Sequence, residues 1–258
     1  MSEPLKIFIG YDGSERIAYD VLKYSIEKNT RANIKIIPLY HKELRRQGFF
    51  QRPWLTGALD GNRTDLIDQR PFSTEFSHTR FLVPELCGFK GWALFMDCDM
   101  LVRCDIKELF DMIDDKYAVM CVKHRQEVKK GEKMDGAPQQ SYYRKNWSSF
   151  VLFNCGHPAN KELDRKAVNT ATGGWLHSFA WLDDKLIGDI PDHYNWIEGT
   201  SKAHVFPRII HYTLGGPWYS SYDDVMFADE WDKYYTRYMD DLPDMSDKIL
   251  NVNYGALE

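Results

Sequence analysis

The chain has 258 residues, 43% hydrophobic and 14% aromatic, with a net charge of −5 at neutral pH. That describes one large folded domain, and the acidic balance gives no general attraction for nucleic acid. Five scattered cysteines without a Cys-x-x-Cys pair point to neither a disulfide framework nor a zinc centre, so a reducing, cytoplasmic setting is expected.

The N-terminus has no basic segment leading into a long apolar run, and no window approaches about 18 uninterrupted apolar residues. No transmembrane segment is expected, although peripheral membrane contact stays compatible with the sequence. "KIFIGYDG" is a short apolar run closing in turn residues, which predicts a buried strand. "SERIAYDVLKYSIEKN" spaces Ile17, Val21, Leu22, Tyr24 and Ser25 along one helical face, with Ser14 available as N-cap. "NIKIIPLY" predicts a second strand, and the resulting β-α-β unit implies parallel strands and an α/β class.

Residues 41–72, rich in Arg, Gly and aromatics, read as a long connector of the kind that carries function. "STEFSHTRFLVPELC" is helical in spacing, and "GWALFMDCDMLV" predicts the strongest strand of the chain. The helix "DIKELFDMID" follows, with Asp105 as N-cap and Glu108 at the capping-box position. "KYAVMCVKH" is a further strand, residues 124–146 a polar basic loop, and "SSFVLFNC" a strand again. "PANKELDRKAVNTA" and "LHSFAWLDDKLIG" are expected helices, "HVFPRIIHYT" a late strand, and "DEWDKYYTRYMDDLPDMSDKIL" an amphipathic C-terminal helix.

The chemistry concentrates in "MDCDM". Residues i and i+2 of a strand share a face, so Asp97 and Asp99 bring two carboxylates together at the carboxyl end of a central strand. Ligands bind at that edge in open α/β sheets, and a hard divalent cation, Mn²⁺ or Mg²⁺, relieves the repulsion while recruiting a phosphate. A helix cap plus an exposed strand end would produce the same pair of acids.

With "IFIGYDGSE", "FSHTRFLVPEL", "GWALFMDCDMLVRCDIKELF", "WSSFVLFN", "WLDDKLIGDIPDHYNW" and "HYTLGGPW" in that order, the chain resembles the GT-A type nucleotide-sugar glycosyltransferases, specifically the glycogenin-like retaining family eight. The resemblance implies a single domain with a Rossmann-like, mixed, mainly parallel sheet flanked by helices. Residues 1–123 would be its nucleotide-binding half, 124–220 its acceptor-side and metal-completing half, and 221–258 a helical tail. It further implies that Asp97, Asp99 and His211 hold the metal, a set of carboxylates and imidazole that suits Mn²⁺. Gly10, Tyr11 and Asp12 would receive the base and ribose, with Arg80, Asp97 and Cys98 also on the donor side. Gly215 and Gly216 would let backbone approach the phosphates. Asp184, with Asp183 beside it, falls where a carboxylate faces the reacting sugar.

The implied activity is metal-dependent, retaining transfer of a hexose from a UDP-sugar to a saccharide or other hydroxyl acceptor. Two departures stand out: Gly216 occupies the place of a lysine before Pro-Trp, leaving Lys202 or Arg208 as substitute cations, and Trp147-Ser148-Ser149-Phe150 replaces Asn-Ser-Gly-Val. Trp54, Tyr142, Tyr143 and Trp147 are available as sugar-stacking rings or as pins for long loops. The alternatives are a nucleotide-sugar-binding protein without turnover and a phosphatase that uses an Asp-x-Asp pair, although here the pair lies far from the N-terminus and is followed by Leu101.

Overall fold

A computed structural model describes residues 3–58, 61–124, 144–202, 206–242 and 252–257. The chain opens with β1 (Leu5–Tyr11), α1 (Arg16–Asn29) and β2 (Ile34–Tyr40), and β1 and β2 pair in parallel as their alternation with a helix predicts. Asp12, not Ser14, caps the turn before α1: its carboxylate accepts the Ser14 N–H at 3.0 Å and the Ser14 hydroxyl at 2.7 Å.

The stretch expected as a connector instead carries α2 (His41–Arg46) and a small antiparallel sheet of β3 (Trp54–Thr56), β4 (Arg63–Asp65) and β5 (Pro71–Phe72). Arg52, fully buried, locks this sheet in place. Its guanidinium donates to both Asp65 oxygens at 2.9 and 2.7 Å and to the Val168 and Ala171 carbonyls at 3.1 and 2.6 Å.

The expected helix around "HTRFLVPEL" is a short 3₁₀ turn, Thr79–Leu82, running into α3 (Val83–Leu86). The single strand expected over residues 91–102 is two: β6 (Trp92–Met96) joins β1 in parallel, and β7 (Met100–Val102) leaves for another sheet. The helix after Asp105 shrinks to α4 (Lys107–Phe110). Asp105 still accepts the Lys107 N–H at 2.9 Å, but Glu108 turns away to bind the Tyr194 hydroxyl at 2.8 Å and Arg208 at 2.9 Å, so no capping box forms.

β8 (Val119–Cys121), β9 (Phe150–Asn154), α5 (Arg165–Thr170), α6 (Gly173–His177) and β10 (Ile187–Asp189) follow, then β11 (Trp196–Ile197), β12 (Ile209–His211) and α7 (Ala228–Asp241). The main sheet has the order β10-β8-β9-β6-β1-β2, with β9 alone running against the rest. This is the expected mixed, mainly parallel α/β architecture. A second sheet, β11-β12-β7, packs Leu101, Ile210 and Tyr212 with Val21 of α1 and Trp231 of α7.

α7 stops at Asp241, two residues before Pro243, because a proline disfavours helical backbone in its predecessor. The rest of the helix expected there lies outside the described residues, as does most of the 124–146 loop, including Tyr142 and Tyr143. Near the C-terminus, buried Tyr254 donates its hydroxyl to the Pro38 carbonyl and accepts the Tyr40 N–H at 3.0 Å, which covers the free edge of β2. No helix among the described residues is long and apolar enough to cross a membrane.

Candidate active site

The break between β6 and β7 builds the site. After Met96 the chain leaves the main sheet: the Asp97 N–H donates to the Ser149 carbonyl at 2.9 Å, and the Asp99 carbonyl accepts the Tyr212 N–H at 2.9 Å. The two aspartates thus occupy the step between sheets, at the carboxyl edge of β6, where backbone geometry no longer forces them into strand alternation. Antiparallel pairing sets His211, the last residue of β12, opposite Met100, the first of β7, which brings its imidazole to Asp99. His211 Nε2 lies 3.2 Å from Asp99 Oδ1, and ligand atoms of Asp97, Asp99 and His211 all fall within 4.8 Å of one another.

Arg80 closes one side. Buried between the rings of Phe76 and Phe95, its guanidinium meets Asp97 Oδ1 at 2.9 Å and donates to the Ser148 carbonyl at 2.9 Å. Burial works to raise the Asp99 pKa, yet the adjacent His211 outweighs it and holds the carboxyl below its usual range. Burial likewise opposes charge on His211, while Asp99 overrides it and raises the imidazole above its usual value.

The donor set fits a divalent cation. Asp99 Oδ1 and His211 Nε2 are both buried and neither has a hydrogen-bond partner, although they face each other. The two carboxylates suit a hard divalent cation, and the imidazole beside them suits Mn²⁺ better than Ca²⁺.

The donor-side residues have additional employment. A Cβ on Gly10 would come within 2.3 Å of the Phe76 ring, so glycine at this position makes room for that ring rather than for a base. Tyr11, at the end of β1, packs edge-on against Tyr19 and Tyr40. The buried Asp12 carboxylate, besides capping the turn, accepts the Glu75 N–H at 2.9 Å and pairs with Arg63 at 3.2 Å. Gly215 takes a φ of +132°, and a Cβ there would meet Tyr222 at 2.6 Å; one on Gly216 would meet Trp218 at 2.2 Å. Both glycines let their own loop fold under aromatic rings. Cys98 is fully buried, and its thiol points to Glu15 Oε2 at 3.5 Å.

Asp183 and Asp184 do not join the cluster. Both side chains are largely exposed, Asp183 paired with Lys185 at 3.2 Å and Asp184 with Arg144. Arg208 is committed to Glu108, and Lys202 is exposed. Trp54 packs against His41, Phe50 and Phe72 beneath Arg45, and Trp147 has Arg144 and Lys123 over its ring, so both act as loop pins.

Three residues of the site carried no signal in the sequence. Glu15 reads there as an ordinary helix-start acid, but burial, then the Asp99 and Asp12 carboxylates, push its carboxyl up to about 8. Asn195, fully buried, meets His211 Nδ1 through its Oδ1 at 2.9 Å. His124, beside the cluster, has its pKa pushed down to about 4 by burial and by proximity to His211.

This architecture is that of the GT-A glycosyltransferases. The galactosyltransferase LgtC, in complex with donor and acceptor sugar analogs, superposes with a TM-score of 0.56 at 14% identity, over 93% of this chain and 98% of that one. The WbbM bifunctional glycosyltransferase superposes with a TM-score of 0.56 at 16% identity over 91% of this chain, which spans 50% of WbbM. GlyE of Streptococcus pneumoniae TIGR4 gives 0.57 at 15% identity, over 99% of this chain and 62% of GlyE. No protein-family model matches the chain. Protein CDI of Arabidopsis thaliana is 47% identical over 234 residues, which covers 89% of this chain and 85% of that protein, and the chain belongs to its family.

Proposed function

We propose that this chain is a metal-dependent, retaining glycosyltransferase of the glycogenin-like family eight that moves a hexose from a UDP-sugar to an acceptor hydroxyl. The convergence of Asp97, Asp99 and His211 at the carboxyl edge of β6 carries this reading, because that is where an open α/β sheet binds its ligands. These three residues would hold Mn²⁺ or Mg²⁺; when bound, the cation supplies positive charge against the charge that develops on departing UDP. Arg80 keeps the Asp97 carboxylate aimed at the cluster and adds a second, buried cationic group beside it. The loop Gly215–Trp218 and the Tyr11 end of β1 would flank the donor. Asp184, and Asp183 next to it, remain the carboxylates proposed for the sugar's reacting face, which requires that the Arg144 pair release Asp184.

One observation favours a second reading, a nucleotide-sugar-binding protein without turnover: position 216 is a glycine packed on Trp218, and Arg208 is held by Glu108. The leaving group would then lack the loop cation that the resembling family places there. A screen of UDP- and GDP-sugars by thermal shift with Mn²⁺, followed by measurement of free UDP with and without acceptors, separates the two. The enzyme reading expects UDP release, and Asp97→Asn lowers it by about 100-fold or more, the scale of losing a group that stabilises developing charge. Full activity in a folded Asp97→Asn protein would remove the site assignment.

A further inference from the structure

The segment from Asn146 to Ser149 backs Arg80, Asp97 and, through Asn195, His211. Its Ser148 carbonyl holds Arg80, its Ser149 carbonyl holds the Asp97 N–H, and the Ser149 side chain leads to His211. The last connection has a direction. The Ser149 hydroxyl donates to the Asn146 carbonyl at 2.7 Å, and a carbonyl only accepts, so that proton is committed. Ser149 Oγ can therefore only accept from its other neighbour, and Asn195 Nδ2 donates to it at 3.1 Å. That fixes the Asn195 amide with Oδ1 toward His211 Nδ1, at 2.9 Å. An amide oxygen is again only an acceptor, whereas Nε2, 3.2 Å from Asp99 Oδ1, has no hydrogen-bond geometry to it, so the neutral ring carries its proton on Nδ1.

We propose that Asn195 is a positioning residue that fixes the His211 tautomer, leaving Nε2 as a bare lone pair aimed at the cluster, and that Ser149 sets the direction of the relay. The proposal rests on the metal-site reading above. Asn195 is fully buried, so its amide has no solvent to satisfy it in another orientation. Ser149 stands where the resembling family has glycine, so the hydroxyl that orients the relay is a feature of this chain and not of that pattern.

The test uses the full chain with ¹⁵N-labelled histidine, read by NMR at alkaline pH to assign the neutral His211 tautomer, together with Mn²⁺ titration followed by electron paramagnetic resonance. The wild type should show the proton on Nδ1. Asn195→Leu should weaken Mn²⁺ binding by about 10- to 100-fold, as loss of an outer-sphere partner does. Asn195→Asp, which still accepts from Nδ1–H, should keep the tautomer and bind within a few-fold of wild type. Ser149→Gly removes only the orienting hydroxyl and should give a mixed tautomer population, which decides the matter if the leucine variant does not fold. A His211 proton on Nε2 in the wild type, a folded Asn195→Leu protein with wild-type Mn²⁺ affinity, or an unmixed Nδ1–H population in Ser149→Gly would each overturn the proposal. Absence of Mn²⁺ binding by the wild type would instead overturn the metal reading, while the tautomer spectra would still judge the relay.

Discussion

Asp12, Glu15, Asp97 and Asp99 crowd the carboxyl edge of β1 and β6, where Arg63 pairs with Asp12, Arg80 with Asp97 and His211 with Asp99. Glu15 bears the cost of that crowding. Desolvation and its acidic neighbours push it up to about 8 from an ordinary value of 4.5. Between those values the folded state holds a proton that the unfolded state has lost, so stability falls as pH rises, by at most about 1.4 kcal/mol per pH unit. Glu15→Gln imitates the protonated acid and should flatten this slope. In urea denaturation with chelator present, the variant should match the wild type below pH 4.5 and exceed it near pH 8; parallel profiles across that window would show that Glu15 ionises freely in the folded chain. The opposite shifts of Asp99 and His211 describe a pair that stabilises in the interval between the lowered carboxyl and the raised imidazole, and loses that contribution as pH moves beyond either.

Among the elements, the break between β6 and β7 creates the site, and the small β3-β4-β5 sheet is held by the Arg52–Asp65 pair instead of by strand length. Both partners are buried, and the Arg52 guanidinium also binds two carbonyls around α5. Asp65→Ala leaves that guanidinium buried without its counter-charge and should cost about 3–5 kcal/mol in chemical denaturation. A loss below about 1 kcal/mol, the range of exposed pairs, would mean that water reaches Arg52.

These elements also show what the sequence could reveal. β1, α1, β2 and β9 were legible because each has an apolar period long enough to declare itself. β3, β4 and β5 were not, because strands of two or three residues have no period and depend on a partner at a distance, Arg52 with the α5 carbonyls. Residues 91–102 read as one strand because their apolar flanks are continuous; the switch between sheets comes from pairing with β9 on one side and β12 on the other. The Asp97–Asp99 pair was visible as a motif, and Arg80 and His211 through resemblance. Glu15 and Asn195 gave no sign, since their roles arise from neighbours 83 and 16 residues away in the chain.

At the scale of the whole molecule, two cores meet at the site. The larger surrounds the main sheet, while the smaller joins α1, β7, β12 and α7, with Trp231 of α7 against Trp218 of the Gly215–Trp218 loop. The GT-A architecture brings the ends of β1, β6 and β12 to one edge, and in the proposed function this edge binds a nucleoside diphosphate through a divalent cation. Calorimetric titration of UDP into the protein, with Mn²⁺ and then with chelator, tests it most directly. Saturable binding with Mn²⁺ is expected, weakening by at least about tenfold, or 1.4 kcal/mol, in chelator and in Asp99→Asn. Equal UDP affinity with and without Mn²⁺ would contradict it.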